Sequence, residues 1–344
     1  MSACIKTQVV DRGANYYVFF GFIIALFIFV GCTTTRDFRF IYKDCVEATV
    51  EILVDGRLEG SGFFVGPDGS IVTAAHVIKS GKRLEARTML GKQIGVKVTG
   101  LDLGSDLALL SPVQPLQVTK FLHIADRQPG VGERVVIIGT ALFRHNLILP
   151  GWVARDGLTF EFSPPFEEYI RVYHVAANTP PGTSGACWLD SHGRVVGVQS
   201  GMMTLGTSAQ GLAFVAPLDS LKQLVQNKKN RSTSTIRCVV EELWEQQPDT
   251  IKKFPESARG VIVAKLANGG PAEKAGLKNG DLIISVNGIS VQRRDDFNEL
   301  IRRQAVGTYV NLEVSSPGFA EKKILNVQVQ SLEEILKSEF SWSS

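Results

Sequence analysis

Three polar residues stand in motifs whose chemistry is that of a nucleophilic hydrolase. They are His76 in IVTAAHVI, Asp106 in LGSDLALL and Ser184 in NTPPGTSGACW. A serine hydroxyl is a weak nucleophile unless a base accepts its proton and a third group orients that base. The plainer interpretation of Ser184 is a turn serine, because Gly, Pro, Ser and Thr cluster in ordinary loops. The context of the other two residues decides between these interpretations.

The contexts of His76 and Asp106 favour catalysis. His76 ends a strand-like apolar run and follows two alanines, which leave room for an imidazole to face a cleft. Asp106 directly precedes an apolar run, so its carboxylate is predicted to be buried and to need a hydrogen-bond partner. A histidine Nδ1–H is such a partner. Turn capping is the alternative role for an aspartate, and Asp102 in GLDLGS fits that role better.

The remaining four histidines have weaker contexts. His192 in DSHGR is predicted to be a solvated turn residue and His174 in RVYHVAAN a structural strand residue. His123 and His145 have no supporting context and are interpreted as surface or core residues.

The order His76, Asp106, Ser184 is that of the chymotrypsin type of triad, not that of the α/β-hydrolases. A hydrolase nucleophile elbow also needs G-x-S-x-G, and position 186 is alanine. Gly182 gains a role in the chymotrypsin arrangement. Its backbone N–H and that of Ser184 would form an oxyanion hole if the loop bends sharply.

The elements that must position these residues are short strands. Val- and Ile-rich stretches bounded by Gly, Pro, Asp or Ser follow one another from residue 45 to about 228. GPDGS at 66–70 is a predicted turn between two of them, and the first long amphipathic pattern is LDSLKQLVQNKK. This pattern predicts a mainly β domain over 45–228. A polar linker with nothing to bury is predicted over 229–235, and a second unit over 236–332, followed by a tail at 333–344.

The N-terminus is predicted to be an export signal rather than part of the fold. Residues 1–31 carry two basic residues and then an apolar run of 15 residues, Tyr16–Val30, which is short for a membrane span. The run ends at Cys32 and resembles a bacterial lipobox, which implies lipidation of Cys32. An uncleaved anchor helix is the alternative, and either one tethers the protein on the periplasmic side of a bacterial membrane.

Composition excludes some classes of partner. The net charge is +3 without a long basic run, so nucleic acid is not an expected partner. No Cys/His group has zinc spacing, and neither a metal nor a cofactor is predicted. After Cys32, three cysteines remain at positions 45, 187 and 238. They are interpreted as buried small hydrophobes, with one disulfide as the alternative.

At this point a family resemblance is clear. The segments GSGFFVGPDGSIVTAAHVI, VTGLDLGSDLALL and PPGTSGACWLDSHGRVVGVQSG resemble the histidine, aspartate and serine segments of the HtrA/Deg family of exported serine proteases. The resemblance spans roughly residues 45 to 330. It implies two six-stranded β-barrels with the site between them, then a PDZ domain, and ATP-independent proteolysis of unfolded or damaged exported proteins. The family's trimers would imply a homo-oligomer.

The second unit supports this resemblance. ARGVIVAKLANGGPAEKAGLKNGDLIISVNGISV follows the strand, helix and strand order of PDZ domains, which bind C-terminal peptides as an added strand. The segment Ile236, Arg237, Cys238 and Val239 is the nearest match to the carboxylate-binding loop. Cys238 stands where the family has glycine, which puts carboxylate capture in doubt.

Two departures lie beside the nucleophile. Thr183 replaces a common asparagine, and Ala186 replaces a glycine, so that a methyl group would crowd the loop. An active serine endopeptidase remains the main prediction because all three triad residues are present. The alternative is a protease-derived protein that binds unfolded chains without cleaving them.

The substrate pocket is predicted from its two walls. Asn178 lies six residues before Ser184, where trypsin-like relatives keep the pocket floor, and it is uncharged. Leu212, Ala213 and Phe214 supply an apolar wall. An unpaired charge in such a pocket is costly, so cleavage is predicted after small or medium aliphatic residues, with Lys and Arg disfavoured.

Overall fold

The computed structural model describes residues 37–79, 81–318 and 321–337. The predicted export segment and Cys32 lie outside these residues. Within them, no helix is long and apolar enough to cross a membrane. The elements are mainly strands, which confirms the predicted fold class.

The first barrel forms from Val- and Ile-rich segments after helix α1 (Phe38–Cys45). Its strands are β1 (Thr49–Val54), β2 (Arg57–Phe64), β3 (Ile71–Ala74), β4 (Leu84–Thr88), β5 (Gln93–Asp102) and β6 (Leu107–Pro112). They close in the order β1-β2-β3-β6-β5-β4. The predicted GPDGS turn joins β2 to β3, and Gly69 takes a left-handed φ of +74° there. β3 and β6 are therefore neighbours, although about 30 residues separate them along the chain.

The second barrel closes with six strands and carries a seventh outside the ring. Its strands are β7 (Arg134–Ala141), β8 (Arg144–Val153), β9 (Thr159–Ser163), β10 (Glu168–Ala176), β11 (Cys187–Leu189), β12 (Val195–Leu205) and β13 (Ser208–Ala216). The sheet runs β13-β12-β11-β7-β8-β10-β9, and an extra β13–β10 pairing closes it. β9 pairs only with the first half of β10, so these two segments form a hairpin beyond the ring. Helix α2 (Leu218–Asn227) follows.

A third sheet forms the C-terminal part of the chain. Its strands are β15 (Cys238–Glu242), β16 (Val261–Leu266), β17 (Leu282–Val286), β18 (Ile289–Ser290), β19 (Tyr309–Ser315) and β20 (Lys322–Gln328). Its helices are α3 (Pro248–Ile251), α4 (Pro271–Lys274) and α5 (Arg294–Arg302). The order is β15-β16-β17-β19-β20, with β18 beside β17, so β15 is an edge strand. A proline opens α4.

Residues 229–232 of the predicted linker are exposed, whereas its last three residues are packed. Thr233 is buried, and its hydroxyl donates to Glu333 Oε1 (2.6 Å) and accepts from the Gly104 N–H (3.1 Å). Strand β14 (Ser234–Thr235) pairs with β21 (Gln330–Ser331), and helix α6 (Leu332–Ile335) follows. The prediction of a linker with nothing to bury is therefore wrong for residues 233–235, which are buried, and the Thr233 hydroxyl has partners in the first barrel and in the C-terminal segment.

Candidate active site

The pairing of β3 with β6 brings His76 to Asp106. Ala74 lies opposite Leu107, so the residues just beyond these strand ends meet. The Asp106 carboxylate accepts from the His76 backbone N–H at 2.9 Å and contacts His76 Nδ1 at 2.7 Å. The carboxylate is almost wholly buried, while a quarter of the imidazole faces solvent. The imidazole is thus held in one orientation at the barrel surface.

The Asp106 carboxylate also controls the charge of His76. Burial lowers the pKa of the imidazole, but the adjacent carboxylate charge and its hydrogen bond outweigh burial. The pKa of His76 is therefore raised. Asp106 adopts a left-handed backbone with φ +53°. Such a conformation is uncommon for a residue with a side chain, although Asp tolerates it better than most. Asp102 accepts from the Ser105 N–H at 3.1 Å, which confirms its turn role.

Ser200 gives the Asp106 carboxylate a third hydrogen bond, which the sequence pattern did not predict. Its hydroxyl donates to Asp106 Oδ2, and its carbonyl accepts from Ser184 Oγ at 3.4 Å. The β12–β13 register shifts between Gln199 and Gly201, so Ser200 occupies a bulge. Bulges redirect a side chain out of the regular alternation. A serine before glycine in VQSG was the only available signal.

The loop that carries Ser184 is built by two glycines. The Thr183 N–H donates to the Pro180 carbonyl at 3.3 Å, and Gly182 has φ +98° at the third position of this turn. Proline then glycine at the central positions favours such a turn. Gly185 has φ +84°, and a Cβ there would lie 2.1 Å from the Ser61 carbonyl oxygen. Only glycine fits so close an approach.

The Ala186 methyl group is accommodated by a glycine on the neighbouring strand. Ala186 is fully buried in the second barrel. A Cβ at Gly139 would lie only 2.6 Å from the Ala186 Cβ. The space that Gly139 leaves empty therefore takes up the methyl group, and the expected crowding of the loop does not occur.

The peptide between Pro181 and Gly182 is oriented for an oxyanion hole. The Pro181 carbonyl accepts from the Leu142 N–H at 2.9 Å. Since the C=O and N–H of a trans peptide point in opposite directions, the Gly182 N–H points away from Leu142. Within the described part of the chain, neither this N–H nor that of Ser184 donates to another protein group. Two backbone donors beside Ser184 are therefore available to a ligand.

Ser61 of the first barrel fastens this loop from the opposite side. Its hydroxyl donates to the Gly182 carbonyl at 2.9 Å and accepts from the Thr140 N–H at 3.0 Å. Its own N–H donates to the Ser184 carbonyl at 2.8 Å. Ser61 thus holds both residues of the candidate oxyanion hole across the barrel interface. Ser61 stands in the GSGFF motif, and nothing in that local pattern indicates this role.

A buried carboxylate supports the same region. Glu51 accepts from the Thr140 hydroxyl at 2.8 Å and also contacts His145 and Arg87. Burial raises the pKa of Glu51, but these three hydrogen bonds together outweigh it, and the pKa is lowered. His145 thus has a partner that the sequence did not indicate. His174, as predicted, is a strand residue, and it pairs with Glu161 at 2.9 Å.

The four predicted pocket residues occupy different environments. Leu212 is half-buried and Ala213 and Phe214 are buried, whereas Asn178 is exposed. Phe214 and Ala213 lie opposite Gly201 and Met202 in the β12–β13 pairing, directly after Ser200. The structure therefore brings the wall strand next to Ser200, which contacts both Asp106 and Ser184. It leaves Asn178 on an open loop rather than at a closed floor.

The predicted carboxylate-binding loop of the third sheet is covered. Ile236, Arg237 and Cys238 are buried and Val239 is half-buried. The residue with a left-handed backbone is Arg237, at φ +59°, and not Cys238. Burial raises the pKa of the Cys238 thiol. In the described part of the chain, Cys45, Cys187 and Cys238 are not joined by a disulfide. The interpretation of all three as buried hydrophobes is confirmed, and the disulfide alternative is wrong.

No group of three or more His, Cys, Asp or Glu residues in the described ranges is arranged to hold a metal ion.

Comparison with known proteins identifies two domain types. The family model of the trypsin-like peptidase domain matches residues 60–198, and that of the PDZ domain matches residues 216–330. A probable periplasmic serine endoprotease DegP-like of Hahella chejuensis is 29% identical over 266 residues, covering 77% of this chain and 55% of the relative. One of Brucella suis is 30% identical over 285 residues, covering 80% and 53%. The chain spans about half the length of these relatives.

Solved structures share the fold. The HtrA-type protease AlgW with decapeptide has a TM-score of 0.62 at 16% identity, covering 86% of this chain and 98% of that one. The serine endoprotease from Yersinia pestis has a TM-score of 0.58 at 18% identity, with the same coverage.

Proposed function

Because this chain belongs to the HtrA/Deg family, with a trypsin-like peptidase domain followed by one PDZ domain, we propose that it is a serine endopeptidase. In this proposal Ser184 is the nucleophile, His76 the general base and Asp106 the group that orients His76. The observation that carries it is the Asp106 carboxylate, which binds both the backbone N–H and Nδ1 of His76.

The reaction proceeds through an acyl-enzyme. His76 Nε2 takes the Ser184 proton as Oγ attacks the substrate carbonyl, and the negative oxygen is held by the Gly182 and Ser184 N–H groups. The His76 imidazolium then protonates the leaving amine. Water, deprotonated by His76, hydrolyses the ester and restores Ser184. The Asp106 charge stabilises the imidazolium in both halves, in line with the raised pKa of His76.

The proposed substrates are unfolded or damaged exported proteins, degraded without ATP. Relatives named periplasmic serine endoproteases support a periplasmic location in a bacterial cell envelope. Lipidation of Cys32, or an uncleaved N-terminal anchor, would tether the enzyme to the membrane. The PDZ domain would bind C-terminal peptides, and assembly as a homo-oligomer belongs to the same proposal.

One observation favours the alternative of a non-cleaving binding protein. Ser184 Oγ donates to the Ser200 carbonyl, at a length of 3.4 Å, so its proton is directed away from a base. Incubation with denatured casein decides between the two functions. The enzyme cleaves it and Ser184→Ala does not, whereas a binding protein retains casein intact in both forms.

The proposed specificity is for small or medium aliphatic residues before the scissile bond. Leu212, Ala213 and Phe214 offer no charge to a substrate Lys or Arg. One methylene is worth about 1–3 kcal/mol in an apolar pocket, so discrimination among aliphatic residues is loose. Mass spectrometry of the new termini in a digested denatured protein tests this. A majority of cuts after Lys or Arg would contradict the proposed pocket.

A further inference from the structure

The chain returns to the first barrel after the PDZ domain ends. The match to the PDZ family stops at residue 330. Beyond it, helix α6 and the residue that follows supply Leu332 and Leu336, which are buried in the same apolar cluster as Leu101 and Leu110 of the first barrel. The last described residues of the chain are therefore part of the core of the protease domain.

Helix α6 has a fixed position against the segment that joins the two domains. The Leu332 N–H donates to the Thr233 carbonyl at 2.8 Å, and strands β14 and β21 pair beside this contact. The Ser331 hydroxyl caps the helix by accepting from the Glu334 N–H at 3.4 Å. Glu333 therefore stands on an anchored segment and not on a free tail.

The turn that precedes Asp106 has three N–H groups that need acceptors. Residues 103–105 form one turn of 3₁₀ helix, and the first N–H groups of such a turn have no partner within it. The turn is buried, so an N–H without a partner would be costly. Each of the three N–H groups is bound by a side chain: that of Leu103 by Glu333 Oε1 (3.2 Å), that of Gly104 by Thr233 Oγ1 (3.1 Å) and that of Ser105 by Asp102 Oδ1 (3.1 Å).

Glu333 supports two of these three contacts. Its Oε1 accepts from the Leu103 N–H and also from the Thr233 hydroxyl at 2.6 Å. A hydroxyl that donates its proton to Glu333 keeps its lone pairs for the Gly104 N–H. The Thr233 N–H donates to Glu333 Oε2 at 2.6 Å, which fixes the threonine further. The position of the turn therefore depends on one carboxylate that comes from beyond the PDZ domain.

The turn leads directly into the candidate catalytic carboxylate. The Asp106 N–H donates to the Leu103 carbonyl at 3.3 Å, and the Asp106 carbonyl accepts from the Ala75 N–H at 3.1 Å, next to His76. The left-handed backbone of Asp106 is uncommon for a residue with a side chain and persists because its surroundings fix it. A shift of the turn would move the Asp106 carboxylate relative to His76 Nδ1.

We propose that Glu333 is a positioning residue of the peptidase, which fixes the turn of residues 103–105 and, through that turn, the Asp106 carboxylate against His76. This inference rests on the proposed catalytic triad. Glu333 acts at a distance, because its hydrogen bonds in the described chain go to Leu103, Thr233 and Ser331 and not to the triad.

Three variants of the full chain test the proposal. Glu333→Ala removes both acceptor oxygens. Glu333→Gln keeps Oε1, and with it an acceptor for the Leu103 N–H, but it cannot accept from the Thr233 N–H at the other position. The matched control is Glu334→Ala, because the side chain of this neighbouring glutamate is exposed.

Turnover of labelled casein is measured under conditions in which circular dichroism shows each variant to be folded. A small misplacement of a catalytic group can cost about 100-fold in rate, and Asp102 still holds the turn when Glu333 is absent. We therefore expect Glu333→Ala to lower kcat about 10- to 100-fold with little change in KM. Glu333→Gln should lose less, and Glu334→Ala should match the wild type. Equal kcat in wild type and Glu333→Ala would overturn the proposal.

The pH profile separates positioning from a general structural role. A carboxylate that has moved away from His76 raises the pKa of the imidazole less, so the rising limb of kcat/KM in Glu333→Ala should move to lower pH. Glu333→Gln should keep its limb closer to that of the wild type, although residue 333 no longer titrates. A loss of kcat with an unmoved limb would overturn the proposal, because it would assign Glu333 to stability alone.

An NMR titration of His76 makes the test independent of turnover. It compares Ser184→Ala with the double variant Ser184→Ala, Glu333→Ala. The pKa of His76 should be lower in the double variant, and an unchanged pKa would overturn the proposal. If the wild type cleaves no casein but the pKa moves as expected, positioning by Glu333 stands and the proposed peptidase function fails.

Discussion

The catalytic cleft and the PDZ domain differ in whether their hydrogen-bonding groups already have partners in the protein. In the cleft, the N–H groups of Gly182 and Ser184 donate to no other group in the described chain, and Ser61 holds them in place. In the PDZ domain, the Val240 carbonyl of edge strand β15 accepts from the Tyr169 hydroxyl, and Asp295 of α5 accepts from the Phe160 N–H, both in the hairpin of β9 and β10. The difference indicates that the candidate oxyanion donors are available to a ligand, whereas this face of the PDZ domain is already packed against the protease domain.

The largest expected effect is the loss of casein turnover when the nucleophile or the base is removed. Ser184→Ala and His76→Ala should each lower casein turnover by about 10⁴- to 10⁶-fold, because triad members act as a unit. The double variant should lose little more than either single variant. Turnover is measured with fluorescently labelled casein. Multiplicative losses in the double variant would show that the two residues act independently.

The second effect concerns the charge behind His76. Asp106→Asn should lower kcat by about 10⁴-fold, since an amide neither fixes the tautomer nor stabilises the imidazolium. If the loss is catalytic, the circular dichroism spectrum of the variant should match that of the wild type.

The pH profile gives Asp106 a second readout. His76 must be neutral to act as a base, so kcat/KM rises with pH through the pKa of His76, which Asp106 raises. Asp106→Asn should therefore move the rising limb to lower pH. The same raised pKa means that the ion pair stabilises the fold below the unfolded pKa and is lost as pH rises through the folded pKa. An unmoved limb in the variant would contradict the assignment of that limb to His76.

A third prediction concerns the Ser61 hydroxyl, which holds the loop of Gly182 and Ser184 in place. Ser61→Ala removes the hydroxyl between the Gly182 carbonyl and the Thr140 N–H. We expect kcat to fall about 10- to 100-fold with little change in KM, a smaller loss than the 10²–10³ for a deleted oxyanion donor. Ser285→Ala, which removes one side-chain hydrogen bond in the PDZ sheet, is the matched control. Similar kcat losses in both variants would indicate a general loss of stability instead.

The smallest expected effect lies between the two regions. Thr233→Val leaves the buried Gly104 N–H without its acceptor, and this should cost about 1–3 kcal/mol in the free energy of unfolding. Lys265→Ala removes only a half-exposed ion pair and should cost less than about 1 kcal/mol. Urea denaturation of both variants measures these values. Equal stability of Thr233→Val and wild type would show that the contacts of Thr233 do not stabilise the fold, as the prediction of a linker with nothing to bury implies.

Local patterns in the sequence predicted the strands and the histidine, aspartate and serine motifs, because alternation and glycine turns leave direct signals. Ser200 and Ser61 were missed because their roles depend on a bulge and on contact across the barrel interface. Phe160, Glu168 and Tyr169 lie in segments whose sequence is typical of ordinary strands. Their contacts form only because another domain packs against them, and no local pattern encodes that packing.

Reaction with a fluorophosphonate shows directly whether Ser184 is an activated nucleophile. The full chain is treated with the probe and digested, and the modified residue is identified by mass spectrometry. We expect a single adduct on Ser184 in the wild type, and strongly slowed labelling in His76→Ala. Absence of an adduct from the folded wild type, or an equal labelling rate in His76→Ala, would contradict it.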